Sequence, residues 1–232
     1  MVTPNEKLAA SLAQLQKLQK DGRRVFRSGE LTRVHRERLV GSGFLREVMK
    51  GWLISSSPDA DPGDTTPWFA SFWEFCAAYC SFRFAADWHL SPEQSLLLHA
   101  ENTVIPQQVI IYTPKGANNT VDLLFGTSLY DLRQKEMPPD ADLVTRDGLR
   151  LFVPEAALVR VPEAFFERYP VEALTANGIQ AGAGADQAVG FQVGSSTNLG
   201  LTESGTPTGA QQDLVNTNGI STMGGAAAPV AG

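Results

Sequence analysis

The chain has 232 residues, of which 43% are hydrophobic, and it carries a formal net charge of −6. This length suffices for one large domain or two small ones with cores of their own. No run reaches the about eighteen apolar residues of a membrane-spanning helix, and the start lacks the charged and then apolar layout of a signal peptide, so we expect a cytoplasmic protein without a membrane partner.

Positive charge is concentrated at the N-terminus. Through Lys50 the chain has eleven Lys and Arg residues against five Asp and Glu residues, a local charge of +6. Beyond Arg168 there is no Lys, Arg or His, while four acidic residues remain. Net charge averages over regions with different tasks, so the basic region favours a nucleic-acid partner even though the whole chain is acidic.

Three helical segments are predicted in the first 40 residues. Asp21-Gly22 ends the first, whose apolar face consists of leucines at three- and four-residue spacing: Leu8, Leu12, Leu15 and Leu18. After an extended step at 24–26, Ser28 is a candidate N-cap for a brief second helix. The third helix is predicted from Arg33 to Val40.

A hairpin is predicted directly after the third helix. Gly41-Ser42-Gly43 stops the helix, and the runs 44–49 and 52–55 have the character of short strands joined at Lys50-Gly51. The order of helix, short helix, basic helix and hairpin predicts that residues 1–55 form a winged helix-turn-helix domain that binds double-stranded DNA.

Eight residues are the candidate DNA contacts. Arginine forks suit phosphate oxygens and the acceptor edge of guanine, which is why a basic third helix would serve as the recognition helix. We expect contacts from that helix, from the hairpin and from the step before the second helix, namely Arg33, His35, Arg36 and Arg38, then Arg46 and Lys50, then Arg23 and Arg24. The alternative interpretation is a solvated basic face on an ordinary helix.

A second domain of mixed helices and antiparallel strands is predicted at residues 65–170. It opens with an aromatic helix around Trp68 to Cys80 and continues with a helix that Ser91-Pro92 begins. Strands are predicted at 109–113 and 120–125, and a hairpin pairs 142–145 with 149–152. The whole chain is therefore expected to belong to the α+β class.

Residues 171–232 form a tail rich in Gly, Ala, Ser, Thr, Asn and Gln. Such a composition buries too little apolar surface to offset the ordering cost of about 1–2 kcal/mol per residue, so we expect mostly disorder. The tail could be a linker, a low-complexity terminus, or a segment translated out of frame from a longer relative.

The sequence offers little support for catalysis, a cofactor or a metal. Cys76 and Cys80 lie within an aromatic helix and His89 and His99 are isolated, whereas structural zinc usually takes two close pairs of ligands. Common nucleotide-binding, hydrolase and metalloprotease motifs do not occur. We therefore expect a non-enzymatic protein with no cofactor and no metal.

A resemblance to a known family begins at the predicted third helix. The segment from Arg33 to Ser55 is similar to the recognition helix and wing of the AbiEi-type antitoxin domain of type IV toxin-antitoxin systems. The matching positions are Gly43, Leu45, Lys50, Gly51 and Trp52. The segments 90–99 and 106–116 resemble the second domain of that family.

The chain from about 8 to 170 also resembles, more closely, the N-terminal region that precedes the Fic domain in some bacterial Fic-family proteins. Fic enzymes typically transfer AMP with a His-x-Phe-x-(Asp/Glu)-Gly-Asn-Gly-Arg loop, and this sequence has no such loop. The resemblance therefore implies an antitoxin-like regulator of a toxin-antitoxin or Fic-type locus, without AMP transfer. A homodimer would be expected if the operator is palindromic.

A second hypothesis belongs to a different class of protein. In it the chain is an interaction module that accompanies a Fic-type toxin without binding DNA, and the aromatic helix at 68–79 packs against that partner protein.

Overall fold

The computed structural model describes residues 3–59, 61 and 63–176, together with the backbone of two strands at 188–193 and 199–204. It has a mixed α+β architecture, as predicted. No helix in these described ranges combines the length and the apolar character that crossing a bilayer requires.

The N-terminal part contains two helices and a three-stranded sheet. Thr3 caps the first helix and its side chain accepts from the Glu6 backbone N–H. The elements are α1 (Pro4–Leu18), β1 (Val25–Arg27), α2 (Arg33–Gly41), β2 (Leu45–Met49) and β3 (Trp52–Ser55). β3 lies between β1 and β2 and pairs antiparallel with both. The first and third predicted helices and the hairpin of this region are confirmed.

The predicted second helix and its cap differ from the structure. Ser28–Glu30 is a single 3₁₀ turn, and no side-chain hydrogen bond caps it. The capping residue of this region is Thr32, whose hydroxyl accepts from the His35 backbone N–H at the start of α2. The four residues between β1 and Thr32 make room for only about one helical turn of about 3.6 residues, and an isolated turn of this length is not a stable α-helix.

The rest of the described chain surrounds a long aromatic helix. Its elements are α3 (Thr66–Phe84), β4 (His89–Leu90), α4 (Pro92–His99), β5 (Gln108–Thr113), β6 (Thr120–Asp122), β7 (Ser128–Arg133), β8 (Leu143–Arg146), β9 (Leu149–Phe152), α5 (Pro154–Leu158), α6 (Glu163–Arg168) and α7 (Pro170–Ala176). Ser91 caps α4 as predicted, and β8 pairs with β9 as predicted.

The expectation of purely antiparallel strands is wrong for the larger sheet. Its order is β4-β5-β7-β6, and β5 runs parallel to β7. β7 was not predicted, and it separates β5 from β6. The loop after β5 makes this possible because Gly116 approaches the backbone of Leu132 and Arg133 so closely that a Cβ would lie 2.9 Å from Leu132 C.

The boundary of the tail also changes. α7 ends at Ala176 and buries Ala173, Leu174 and Ala176, so the packed region extends six residues beyond the predicted limit of 170. Within the predicted tail, Ala188–Val193 and Leu199–Ser204 are β10 and β11 and pair antiparallel, where mostly disorder was expected. Residues 177–187, 194–198 and 205–232 lie outside the described residues.

One hydrophobic core joins the N-terminal sheet to the rest of the chain. Trp68, Phe72 and Phe75 of α3 are fully buried. They belong to the same cluster as Val25, Val48, Trp52 and Ile54 on one side and Leu129, Leu149 and Leu151 on the other. A smaller cluster, which includes Leu15, Phe26, Leu39 and Leu45, holds α1 and α2 on the N-terminal sheet. These two clusters determine where α2 can lie.

Candidate nucleic-acid interface

A single buried residue holds α2 against the N-terminal core. Leu39 is 0% exposed and packs with Leu15, Phe26 and Leu45. The helix then ends at Gly41, and Gly43 adopts the left-handed conformation with φ +76°, which lets the chain turn sharply into β2. Because only one side of α2 is anchored, its opposite side faces solvent.

The solvent side of α2 presents Arg33. Its side chain is 81% exposed, and its Nε donates to Glu37 Oε1 at 2.7 Å, one helical turn away. This hydrogen bond raises the pKa of Arg33 and lowers the pKa of Glu37. Both side chains are mostly exposed, so a phosphate could compete with Glu37 for the guanidinium at little cost.

A groove separates α2 from the β2–β3 hairpin. It has a volume of about 590 Å³ and is lined by Arg36, Glu37, Glu47 and Lys50, among others. Arg36 donates from Nη1 to the Ser28 carbonyl at 3.2 Å. Lys50 is exposed at the hairpin turn. The groove therefore carries two cations and two carboxylates, and the exposed Arg33 beside it makes the local surface basic.

Two of the predicted contacts face inward instead. Arg38 donates from Nη1 to the Lys7 carbonyl and to Ser11 Oγ, both at 2.8 Å, and His35 Nδ1 lies 2.9 Å from the same Oγ. Ser11 is itself 0% exposed and donates to the Lys7 carbonyl. Because that hydroxyl has only one hydrogen, His35 Nδ1 must be the donor to Ser11. Arg38 and His35 thus connect α2 to α1.

Three further predicted contacts are engaged in structural bonds. The Arg23 guanidinium forms a bidentate pair with Glu30 at 2.7 and 2.6 Å. The Arg24 guanidinium donates to the Ala70 carbonyl at 3.0 Å, and that of Arg46 donates to the Asp64 carbonyl at 3.1 Å. Of the eight predicted residues, the structure therefore brings Arg33, Arg36 and Lys50 to one accessible surface, which we call the α2–hairpin face.

Arg27 belongs to the same region, although sequence reasoning missed it. It ends β1 opposite Trp52, and its guanidinium carbon lies 3.6 Å from the centre of the Phe82 ring. The Ser28 N–H that follows donates to the Gly51 carbonyl at the hairpin turn, at 2.9 Å. Alternation along β1 places Arg27 on the same face as Val25, the face that α3 covers, but Phe82 is 55 positions away along the chain, and no local pattern indicates it.

The cysteines and histidines considered for metal binding lie apart. Cys76 and Cys80 are buried, and burial raises the pKa of both thiols, which keeps them protonated. His99 Nε2 lies 2.8 Å from the Phe152 carbonyl, and His89 Nδ1 lies 2.8 Å from the Leu90 carbonyl. In the described part of the chain, no three His, Cys, Asp or Glu side chains gather as metal ligands would.

No protein-family model matches the chain, and neither does any curated protein. The features that bear on function are therefore the geometry of the α2–hairpin face and the resemblance carried by residues 33–55.

Proposed function

We propose that the chain is a non-enzymatic, antitoxin-like regulator that binds double-stranded DNA through a winged helix formed by α1, α2 and the β1-β3-β2 sheet. The observation that carries this proposal is the position of α2, which is anchored by Leu39 and presents Arg33 to solvent beside the hairpin. The resemblance to the AbiEi-type and pre-Fic regions supplies the regulatory setting, a toxin-antitoxin or Fic-type locus.

The order of elements supports this assignment. A winged helix places its recognition helix directly before a two-stranded wing, so that the helix enters the major groove while the wing touches the backbone. Here α2 precedes the β2–β3 hairpin, and Lys50 lies at the hairpin turn. The 3₁₀ turn at Ser28–Glu30 occupies the place of the helix that usually precedes the recognition helix.

The distribution of charge assigns different roles to the cations. Arg33, Arg36 and Lys50 lie together on the α2–hairpin face. Arg33 bonds the exposed Glu37 and Arg36 makes one bond, to the Ser28 carbonyl, and we expect both to exchange these partners for phosphate or base edges. Arg38 instead stabilises the α1–α2 contact through Ser11 and Lys7. We therefore expect an Arg38 substitution to act through folding, and an Arg33 or Lys50 substitution to act on DNA directly.

The test compares two double variants of equal charge. Arg33→Ala with Lys50→Ala removes two cations from the α2–hairpin face, and Lys17→Ala with Lys20→Ala removes two exposed cations from the end of α1. Binding to a short mixed-sequence duplex is measured by fluorescence anisotropy over a range of salt concentrations. Each lost phosphate contact lowers the slope of log K against log[salt] by about 0.9, so the first variant should lose about 2 in slope.

The control variant should keep the slope of the natural chain. Equal losses in both variants would mean that the basic N-terminus attracts DNA without a defined site. An unmeasurable affinity of the natural chain, for the mixed duplex and for the DNA upstream of its own gene, would overturn the proposal.

A protein partner is the second candidate. Trp68, Phe72 and Phe75 are buried within the chain, so the aromatic helix as a whole does not offer a docking face. A separate groove of about 430 Å³ offers such a docking face. Its apolar lining consists of Phe69, Trp73, Leu98, Ile105, Leu149 and Leu151. Purification from the native host distinguishes the candidates, because a stoichiometric toxin or Fic-family companion without nucleic acid would favour this one.

A further inference from the structure

The surface around the α2–hairpin face includes one residue of the aromatic helix. Phe82 of α3 is 56% exposed, although exposed phenylalanine is unfavourable in water. One side of its ring is covered by the Arg27 guanidinium at 3.6 Å, and the Trp52 ring meets it at 6.0 Å with an interplanar angle of 69°. Phe82 therefore supports a cation at the surface.

Stacking leaves the hydrogen-bonding edge of the guanidinium free. A cation–π contact uses the flat face of the group, whereas its N–H donors point outward in the plane. None of the salt bridges in the described ranges involves Arg27: Glu30, the carboxylate that its charge acts on, accepts from the Arg27 backbone N–H and is paired with the Arg23 side chain. The ring holds the group in one orientation, and less entropy is then lost when an oxyanion binds.

Arg27 is connected to the other free cations of this region. Ser28, the next residue, accepts from Arg36 Nη1 at 3.2 Å and donates its N–H to Gly51, which follows Lys50. Arg36 of α2 is thus bonded to Ser28, Arg27 of β1 precedes Ser28, and Lys50 of the hairpin turn precedes Gly51. All three cations lie at the Ser28–Gly51 contact. This spread over three elements suits an extended polyanion better than a single carboxylate.

We propose that Arg27, held flat by Phe82, is a further DNA-phosphate contact, and that α3 is thereby part of the nucleic-acid interface. The inference rests on the proposed function, and it assigns Phe82 the role of a positioning residue. The DNA-binding surface is then built from both halves of the chain and does not end at residue 55.

The test uses full-length variants in the same salt-dependent binding assay. Arg27→Ala should lower the slope of log K against log[salt] by about 0.9, the share of one phosphate. Phe82→Ala should weaken binding about two- to fivefold, which corresponds to the cation–π energy at an exposed site. Phe82→Tyr keeps the ring and should restore the affinity. Val171→Ala, which removes an exposed apolar side chain of α7, is the control and should bind as the natural chain does.

The coupling between the two residues separates positioning from a general structural effect. If Phe82 acts through Arg27, Phe82→Ala should have no further effect in the Arg27→Ala background, and the thermal unfolding midpoint verifies that the variants are folded. This inference alone would be overturned if Arg27→Ala and Phe82→Ala kept the affinity and slope of the natural chain while the Arg33 and Lys50 double variant lost affinity. A natural chain that does not bind DNA would overturn the proposed function and this inference with it.

Discussion

His89 is a buried titratable residue outside the α2–hairpin face. It is 2% exposed, lies parallel to the Tyr112 ring at 5.3 Å and meets the Phe152 ring edge-on at 4.9 Å. Nδ1 donates to the Leu90 carbonyl, which leaves Nε2 as the site of any added proton. Nε2 has no hydrogen-bond partner among the described residues. A proton there would create a buried, unpaired cation.

Burial lowers the pKa of His89 from its ordinary value of 6.5, and Arg150 and Arg160 act in the same direction. The folded state then binds fewer protons than the unfolded state, so stability is fully present above about pH 6.5 and falls as the pH drops from there to the lowered pKa. We expect the urea midpoint of the natural chain to fall between about pH 6.5 and 5, the range in which histidines titrate and most carboxylates do not.

His89→Phe is the variant that tests this dependence, because it keeps the ring stack and removes the titrating group. Its urea midpoint should vary less with pH over the same range. Parallel pH profiles for the two proteins would show that His89 does not control this dependence.

At the scale of elements, the turn from α2 into β2 decides where the hairpin lies relative to α2. Gly43 has φ +76°, and a Cβ at this position would lie 2.9 Å from Pro58 Cα. Gly41, two residues earlier, has open space around it and helical geometry. A side chain could therefore be added at Gly41 but not at Gly43 without strain, although in the sequence both glycines are helix-stop signals.

Gly43→Ala should destabilise the protein by about 1–2 kcal/mol for the left-handed conformation alone, with the contact to Pro58 adding to the loss. Gly41→Ala should instead be neutral or stabilise by about 0.5–1 kcal/mol, because alanine favours the helical conformation. Chemical denaturation of the two variants measures both effects. Equal losses would mean that the turn has no special conformational demand at Gly43.

At the scale of the whole molecule, the N-terminal sheet is not closed by its own residues. Trp52 of β3 packs edge-on against Phe75 and Tyr79 of α3, with ring centres 5.6 and 5.9 Å apart. Glu74 of α3 accepts from the backbone N–H groups of Arg24 and Val25 at 2.9 and 3.0 Å. Part of the core that surrounds this sheet therefore comes from residues beyond 65.

A fragment of residues 1–64 should therefore show no cooperative thermal unfolding, because it would expose Trp52 and Ile54 and leave the backbone N–H groups of Arg24 and Val25 without Glu74. A fragment of residues 1–176, which retains all of the described helices, is the control and should unfold cooperatively. A cooperative transition in the shorter fragment would establish residues 1–55 as an independent domain, as the sequence predicts.

Local patterns were sufficient for most of the N-terminal elements. Leucine spacing predicts α1, the glycines that follow predict the end of α2, and Lys50-Gly51 predicts the hairpin turn, because each signal acts within a few residues. The same signals did not predict the parallel pairing of β5 with β7, because the partner of a strand depends on the path of the chain between them.

The features of the candidate site also fall into two groups, those that local patterns predict and those that depend on packing. Residue order alone indicates that positive charge gathers before residue 50 and that a basic helix precedes a hairpin. Packing between distant segments determines which cations reach the α2–hairpin face. Arg38 finds its acceptor 27 positions away at Ser11, Arg24 finds one 46 away at Ala70, and Arg27 stacks on the distant Phe82. A charged side chain takes whichever partner the packed chain brings within hydrogen-bond reach, and packing between distant segments leaves no local trace in the sequence.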